Sequence, residues 1–400
     1  MNRIPPLFAA LGLLVLLAPP IAAYEVSPDL TVFGYFQTWL TVFEQMEDAQ
    51  GQVQQPSGDE ATDNTAGFRI NRVRVGLHWD FLDRLMRVAF QLKLEEPIQV
   101  LDLYLAVRPW SCLEIRAGQF KIPSSWEALE EDSRLDFLLR SDLSTALADY
   151  ALSRTTYASS LFYGNRSQLR DLGLGLKFEA EPLGRPVRLF AMVGNGLGAN
   201  LFIGGVSAKE FILTNGAQFF YGARLTVEPW PGVISLGAHA SWNRHDDVLF
   251  KSGRVVMDLH RVTGSADLAV RWEAPGLRLH LLYGAGAILE DWDDNGKDDY
   301  VFDGWEARLL WRLDRLLAWA LGGEPLGRHG LELGVRFEQY NARADEVGPF
   351  SHQETWTFGL GYSFREYIRV QLNVILRRTA KIYFPDLDDN GVLLGLQAAL

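Results

Sequence analysis

Residues 72–80 read Arg-Val-Arg-Val-Gly-Leu-His-Trp-Asp, and their apolar side chains fall on every second position. The same alternation recurs at residues 86–94 and 368–376. Because successive side chains of a strand point to opposite faces, a period of two predicts strands with one apolar face and one polar face. Segments of this length suit a tilted strand that crosses a bilayer.

The alternating segments continue along the chain and number 16 in all. Lipid offers no hydrogen bonds to a free strand edge, so a sheet that spans a membrane must close on itself. We therefore predict an all-β fold, a transmembrane antiparallel β-barrel of 16 strands, in a single domain over residues 24–400. The segments are 31–43, 68–81, 85–94, 100–109, 113–122, 171–180, 187–195, 219–229, 233–243, 260–272, 277–289, 305–315, 331–341, 354–364, 367–378 and 392–400.

The connections between these segments alternate between short and long. This sorting is typical of outer-membrane barrels, which have short periplasmic turns and long extracellular loops. Aromatic residues such as Trp79, Trp110 and Trp272 stand at the segment ends next to the short turns, as an interfacial girdle requires. The link 316–330 is long where a short turn is expected, which predicts a short helix or an extended strand end there.

The first 23 residues have an apolar run followed by Ile21-Ala22-Ala23, a pattern that predicts a signal peptide. The expected location is therefore the bacterial outer membrane, with outer-membrane lipid as a partner. The formal net charge of -12 argues against nucleic acid as a partner. A single cysteine, Cys112, allows no disulfide within the chain.

Charged residues at alternating positions are expected to face the lumen, since a charge facing lipid near the midplane costs about 2–4 kcal/mol. Bases outnumber acids at these positions, although the whole chain is acidic. A basic lumen draws small anions inward; alternatively, pairs of bases and acids only line and stiffen a wet wall. The bases that we predict to line the pore are Arg72, Arg74, Arg87, Lys93, Arg108, Arg116, Lys177 and Arg224.

The stretch 123–170 is far longer than a hairpin connection needs. Its first part, Trp126 to Tyr150, has helical character and many large apolar residues. Long loops with this composition are usually functional, and we predict that this one folds into the pore and narrows it. The bases expected at the constriction are Arg134, Arg140 and Arg154. The alternative is an outward loop that packs on a neighbouring subunit.

Two motifs resemble a known family. Residues 68–77, Phe-Arg-Ile-Asn-Arg-Val-Arg-Val-Gly-Leu, and residues 118–123, Gly-Gln-Phe-Lys-Ile-Pro, are similar to strands of the phosphate-selective porin O and P family. The acidic stretch Glu127 to Asp132 and Arg140-Ser141 resemble the loop that follows. The resemblance implies a trimeric 16-stranded porin that passes small hydrophilic solutes by diffusion and favours anions, with phosphate as one candidate.

Other chemistry is weakly indicated. Residues 291–296 and 386–391 share an Asp-rich pattern that resembles the first half of a calcium loop, but the closing Glu is absent in both and turn chemistry alone explains the pattern. No histidine spacing predicts a metal site, so we expect no metal. We also expect no cofactor, and we expect that the protein is not an enzyme. Two alternatives stay open: an outer-membrane hydrolase such as a phospholipase, and a structural barrel that residues 123–170 plug.

Overall fold

Sixteen long antiparallel strands form one closed sheet in the computed structural model. The first strand pairs with the last, with Tyr35 opposite Ala399, which closes the barrel. The strands are β1 Leu30–Phe43, β2 Ala66–Phe81, β3 Met86–Lys93, β4 Gln99–Trp110, β5 Leu113–Lys121, β6 Arg170–Ala180, β7 Val187–Gly194, β8 Phe220–Trp230, β9 Ile234–Phe250, β10 Val255–Trp272, β11 Leu277–Asp291, β12 Tyr300–Arg312, β13 His329–Ala344, β14 Ser351–Phe364, β15 Ile368–Lys381 and β16 Gly391–Ala399.

The structure describes most of the chain, with gaps that fall mainly in the long connections. The described residues are 24–43, 46–47, 53–54, 66–95, 98–152, 169–196, 211–213, 219–250, 255–291, 300–321, 328–344, 351–365, 367–381, 384–387 and 390–399. Short strands also occur at Tyr24–Ser27, Met46–Glu47, Val53–Gln54, Phe211–Leu213 and Phe384–Leu387.

The predicted 16-stranded barrel is confirmed, and most strand bounds agree within a few residues. Strands β9 and β10 are longer than predicted, since they continue their pairing to Phe250 and from Val255, with register shifts beyond His245. Strand β12 ends at Arg312 rather than at residue 315. A helix begins at the next residue, so the long link after β12 holds the short helix that was one of its two predicted forms.

Three α-helices lie in the described connections: α1 Trp126–Leu129, α2 Asp142–Leu152 and α3 Leu313–Leu321. Two 3-10 turns occur at Asp132–Arg134 and Pro182–Gly184. Within the ranges given above, the structure has no helix with both the length and the apolar character needed to cross a membrane.

The short connections are tight turns. Residues Leu82, Asp83 and Arg84, between β2 and β3, all have positive φ angles of 53° to 64°. Gly232 and Gly276 take the same left-handed region, with φ of 74° and 71°, where glycine fits without strain. These turns fix the register of neighbouring strands.

Candidate functional site in the lumen

The polar face of the sheet points into the barrel. On β12, inward Glu306 and Arg308 are each 2% exposed, whereas outward Trp305 is 42% exposed. On β14, inward Thr357 is 1% exposed and outward Trp356 is 44% exposed. A soluble protein buries its apolar face instead, so this reversal is what lipid on the outside and polar groups on the inside require.

Residues 123–148, which we call the inner segment, form two helices joined by an irregular chain. The Ser125 side chain caps α1 by accepting a hydrogen bond from the Ala128 amide, at 3.3 Å. The Ser141 hydroxyl accepts a hydrogen bond from the Ser144 amide in α2, at 3.0 Å. The Glu127 carboxylate accepts from the Ser141 amide at 2.9 Å, which ties the two helices together.

A buried charge cluster attaches the inner segment to the wall at β12 and β13. The Glu127 carboxylate lies 3.0 Å from the Arg308 guanidinium and 3.6 Å from that of Arg336. Burial opposes ionisation of Glu127, but Arg308, Arg336 and Arg140 outweigh it and lower the pKa of Glu127 to about 2. Glu127 is therefore charged at neutral pH, and it balances two arginines that are almost fully buried.

Polar side chains of the wall also bind the backbone of the inner segment. Arg369 of β15 donates to the Leu135 carbonyl at 2.6 Å. On the same strand, the Asn373 side-chain oxygen accepts a hydrogen bond from the Leu138 amide at 2.7 Å. Further bonds of this kind join Gln371 to the Asp136 carbonyl and Arg336 to the Leu139 carbonyl, both at 2.9 Å. These bonds satisfy backbone groups that the irregular chain leaves without a regular partner.

Three apolar clusters join the same segment to the inside of the barrel. In each cluster, buried residues of the inner segment pack against inward-facing residues of the strands. Their members are Leu143, Ala146, Leu147, Leu282, Phe302 and Tyr340; Phe120, Ile122, Ala128, Ala148, Leu169, Met192 and Phe220; and Trp39, Leu138, Ile375 and Leu393. The inner segment is thus held by charge, hydrogen bonds and packing together.

Several bases surround the carboxylate of Asp132. Its oxygens lie 2.6 Å from Arg140, 3.7 Å from Arg72 and 3.9 Å from Arg74. The Tyr35 hydroxyl donates to it at 3.4 Å. Burial opposes ionisation here too, but the surrounding bases, Arg72 and Arg140 foremost, hold the pKa of Asp132 well below its usual range. Two predicted pore-lining bases and one predicted constriction base therefore meet at this point.

A second group of predicted bases lies near the short turns of β2–β5. Arg87 contacts Asp80 at 2.6 Å, and Arg108 contacts both Asp80 at 3.4 Å and Glu114 at 2.8 Å. Arg116 contacts Glu114 as well. The side chains of Arg87 and Arg108 keep 28% and 27% of their surface exposed. We call these five residues the basic strip, since three arginines share two carboxylates.

Other predicted pore-lining residues occupy more varied surroundings. The Lys177 ammonium lies 5.2 Å from the centre of the Phe190 ring, across the ladder from Glu114. Arg224 forms two hydrogen bonds with Asp267, at 2.6 and 2.8 Å. Arg224 also lies 3.3 Å from the Ser124 carbonyl. Arg74 forms an ion pair with Glu95, and Lys93 stands opposite Arg74 in the β2–β3 ladder.

The three bases predicted at the constriction separate in the structure. Arg140 is bound within the inner segment, where it donates to the Glu127 and Glu130 carbonyls and to Asp132. Arg134 lies exposed on a 3-10 turn. Arg154 lies outside the described residues, so its place at a constriction stays a prediction.

Arg69 is a lumen base that our sequence reasoning missed. The β1–β2 register shifts between Gln37 and Thr38, which leaves Asn71 as an extra residue in β2. This bulge puts both Arg69 and Arg72 on the inward side, 5.4 and 5.1 Å from the ring of buried Trp39. The sequence contained a signal for this bulge: the apolar residues stand at the even positions 68 and 70 and then at the odd positions 73 and 75.

A serine and a histidine also meet on the lumen wall. The Ser265 hydroxyl lies 3.4 Å from Nδ1 of His239. Nε2 of His239 is buried without a hydrogen-bond partner among the described residues. A hydrolytic site needs a third group that orients the histidine, and this pair faces the lumen rather than lipid.

Metal chemistry gains no support from the described part of the chain, where no three acidic, histidine or cysteine side chains gather to hold an ion. Of the two Asp-rich stretches considered for calcium, residues 292–296 and 388–389 lie outside the described residues.

Comparisons with known proteins agree with this geometry. The family model of the phosphate-selective porins O and P matches residues 46–170. A search of curated proteins finds no match. Among solved structures, OmpT of Vibrio cholerae is 12% identical with a TM-score of 0.56, and the match covers 94% of this chain and 99% of that one. The channel DcaP of Acinetobacter baumannii is 10% identical with a TM-score of 0.56, over 95% of this chain and 100% of that one.

The closed barrel, its polar interior and the family match together define an outer-membrane porin, located in the bacterial outer membrane. The model of the phosphate-selective porins O and P matches residues 46–170, so the resemblance predicted from residues 68–142 is confirmed for that part of the chain. At identities this low, the solved structures establish the likeness of the fold alone.

Proposed function

We propose that this porin is a diffusion channel for small hydrophilic solutes with a modest preference for anions. The observation that carries the proposal is the basic strip, in which Arg87, Arg108 and Arg116 share Asp80 and Glu114. Because the pairing is unequal, one positive charge is left over. Lys177 adds a second positive charge beside Glu114.

Exposure decides what these charges can do. Arg87 and Arg108 keep more than a quarter of their side-chain surface exposed on the inward face, so their charges act on solutes in the lumen. A low-dielectric wall that carries charges of one sign concentrates ions of the opposite sign. Nearby acids moderate the field: Glu179 lies two positions from Lys177, and Glu228 pairs with Arg188. A modest anion preference follows, rather than a strict one.

The inner segment has a separate part in the proposal. Residues 123–148 narrow the pore as a fixed constriction, because they bind inward-facing side chains on both β12–β15 and β1–β2. The remaining path then runs beside the basic strip. Phosphate is the solute that the family description suggests, and guanidinium groups suit its oxygens well.

Assembly and chemistry complete the proposal. We propose a homotrimer. The support is the fold that this chain shares with OmpT, which was also solved in a trimer form. That form is 12% identical to this chain with a TM-score of 0.56, over 93% of this chain and 99% of that one. We also propose that the protein is not an enzyme, since Ser265 and His239 form an incomplete pair in the lumen. Phospholipid turnover that disappears in Ser265→Ala would contradict this part.

Recording in planar bilayers tests the channel directly. The purified protein should give single-channel steps, and a potassium chloride gradient should give a reversal potential of the anion-selective sign. Millimolar phosphate should reduce the chloride current if phosphate binds along the path. A cation-selective reversal potential would refute the anion preference, and a folded protein that never conducts would refute the channel.

A plugged structural barrel is the second candidate, because three apolar clusters and many polar contacts fix the inner segment in place. Replacing residues 124–148 by a short Gly-Ser linker separates the two functions. If the barrel is a plug, the native protein is silent and the deletion opens it. If the segment is a constriction, the native protein already conducts and the deletion enlarges each step.

A further inference from the structure

Helix α3, at the end of β12, has a composition unlike the other short-side connections. Its nine residues are Leu-Asp-Arg-Leu-Leu-Ala-Trp-Ala-Leu, with only Asp314 and Arg315 charged. The neighbouring short turns, such as Trp230-Pro231-Gly232, need only a few residues to join their strands. A helix is not required to connect β12 to β13, so its apolar surface needs another explanation.

Both charges of α3 are engaged by the barrel. Asp314 accepts two hydrogen bonds from Arg312, at 2.8 and 2.7 Å, and one from the Leu331 amide at 3.4 Å. Arg315 reaches back to the Glu273 carboxylate in the turn between β10 and β11. The helix lies close to that turn, since a Cβ at Gly276 would lie 2.9 Å from Cβ of Arg315.

The rest of the helix presents apolar side chains outward. Leu317 is 55% exposed, Trp319 is 57% exposed and Leu321 is 81% exposed. Leu317 and Leu321 are four residues apart and therefore share one face. With its charges turned toward the barrel, α3 offers a short apolar surface that water alone would solvate poorly.

This surface continues the aromatic belt of the barrel. Trp311, one residue before Arg312, faces outward, and the strand ends at the other short turns carry exposed tryptophans in the same position. These are Trp79, Trp110, Trp230 and Trp272, which are 51%, 65%, 62% and 58% exposed. A helix of nine residues is only about 12 Å long from its first to its last Cα, and it begins two residues after Trp311, at the level of this belt.

We propose that α3 is a membrane-interface anchor whose Leu317 and Leu321 insert into the phospholipid leaflet on the short-turn side of the membrane. Short helices with an apolar face bury that face at the boundary between headgroups and acyl chains. The anchor holds the β12–β13 end of the barrel at a fixed depth. The inference rests on the membrane location and not on conduction, so a silent channel would leave it standing.

Site-directed spin labelling tests the anchor, and the single cysteine makes it simple. In a Cys112→Ser background, Leu317→Cys and Leu321→Cys each carry one label, with Leu183→Cys as the matched control. Leu183 is an apolar residue that is 96% exposed in another short turn. The protein is reconstituted in vesicles of phosphatidylethanolamine and phosphatidylglycerol, and folding of each variant is checked by heat modifiability on gels.

Labels at 317 and 321 should collide with oxygen more often, and with a water-soluble nickel chelate severalfold less often, than the label at 183. Equal nickel accessibility at all three positions would place α3 in water and overturn the proposal. Labels at 317 and 321 that are protected from both reagents would show that protein covers the helix, for instance a second copy of this chain, and would overturn it as well.

Discussion

Arginines on two walls of the same lumen serve opposite purposes. On the β12–β13 wall, the side chains of Arg308 and Arg336 are 1% and 3% exposed and bind the inner segment. On the β3–β4 wall, those of Arg87 and Arg108 are 28% and 27% exposed and face the open part of the lumen. The residue type and the inward orientation are the same, and what differs is whether another part of the chain covers the side chain.

Dielectric surroundings explain the difference. A buried arginine is stable only when a carboxylate and hydrogen bonds replace its water, so removing its partner is costly. An exposed ion pair contributes little to stability, because water and salt screen it. Its field still reaches passing solutes. One wall therefore holds a structure in place, and the other sets the potential along the path.

Removing the buried carboxylate should have the largest effect. Glu127→Gln leaves Arg308 and Arg336 without their shared charge, which should destabilise the folded inner segment by about 3–5 kcal/mol. Proteolysis of the folded barrel in detergent should then cut within residues 123–148. Glu131→Gln, at an exposed position of the same segment, is the control, and equal resistance of both variants would contradict the account.

Opening an apolar contact should come next. Leu147 is fully buried against Phe302 and the backbone of Gly284, where a Cβ would lie 2.7 Å from its Cδ1 atom. Leu147→Ala should loosen α2 at a cost of about 2–3 kcal/mol. Single-channel records should show added fluctuation between open levels, whereas Leu183→Ala in a short turn should record like the native channel.

Lowering the pH should also destabilise the folded inner segment, by a fraction of the effect of Glu127→Gln. A carboxylate whose pKa is lowered by folding stabilises the folded state above its ordinary pKa and loses that contribution as the pH falls toward the lowered value. The pKa of Glu127 is lowered to about 2. Resistance to proteolysis should therefore be constant above pH 5 and should decline below pH 4.5. The decline should be shallower in Glu127→Gln, and identical profiles would exclude Glu127 as a cause.

Charge removal in the basic strip should have the smallest effect. Arg108→Gln should lower the anion-to-cation permeability ratio by roughly two- to fivefold, equivalent to about 0.5–1 kcal/mol for one screened charge. Stability should change little, since the side chain is partly exposed and Arg87 and Arg116 still pair with Asp80 and Glu114. Arg185→Gln, in the exposed turn before β7, should leave the ratio unaltered. An unchanged ratio in Arg108→Gln would remove the basic strip from the path.

The sequence predicted the barrel well, because its period of two depends only on the environment of each face. Residues 72–80 already show that period, and lipid outside with polar groups inside makes it unambiguous. Local departures were harder. The bulge at Asn71 moved Arg69 to the inner face, and the start of α3 at Leu313 ended β12 earlier than its alternation suggests.

The site was only partly predictable for a different reason. Inward positions of Arg108 and Arg308 follow from the alternation, and both look alike in the sequence. Their exposure depends on which wall the inner segment covers. That is decided by contacts such as Arg308 with Glu127 and Arg369 with Leu135, which join residues far apart in the chain. No local pattern records such pairings.

The most direct test of two unlike walls is thiol modification during recording. In the Cys112→Ser background, Arg108→Cys and Thr357→Cys place one cysteine on the exposed wall and one on the covered wall, where Thr357 is 1% exposed. A negatively charged, membrane-impermeant methanethiosulfonate should react quickly at position 108 and shift the permeability ratio toward cations, and it should not react at 357. Rapid reaction at 357 with none at 108 would contradict the account.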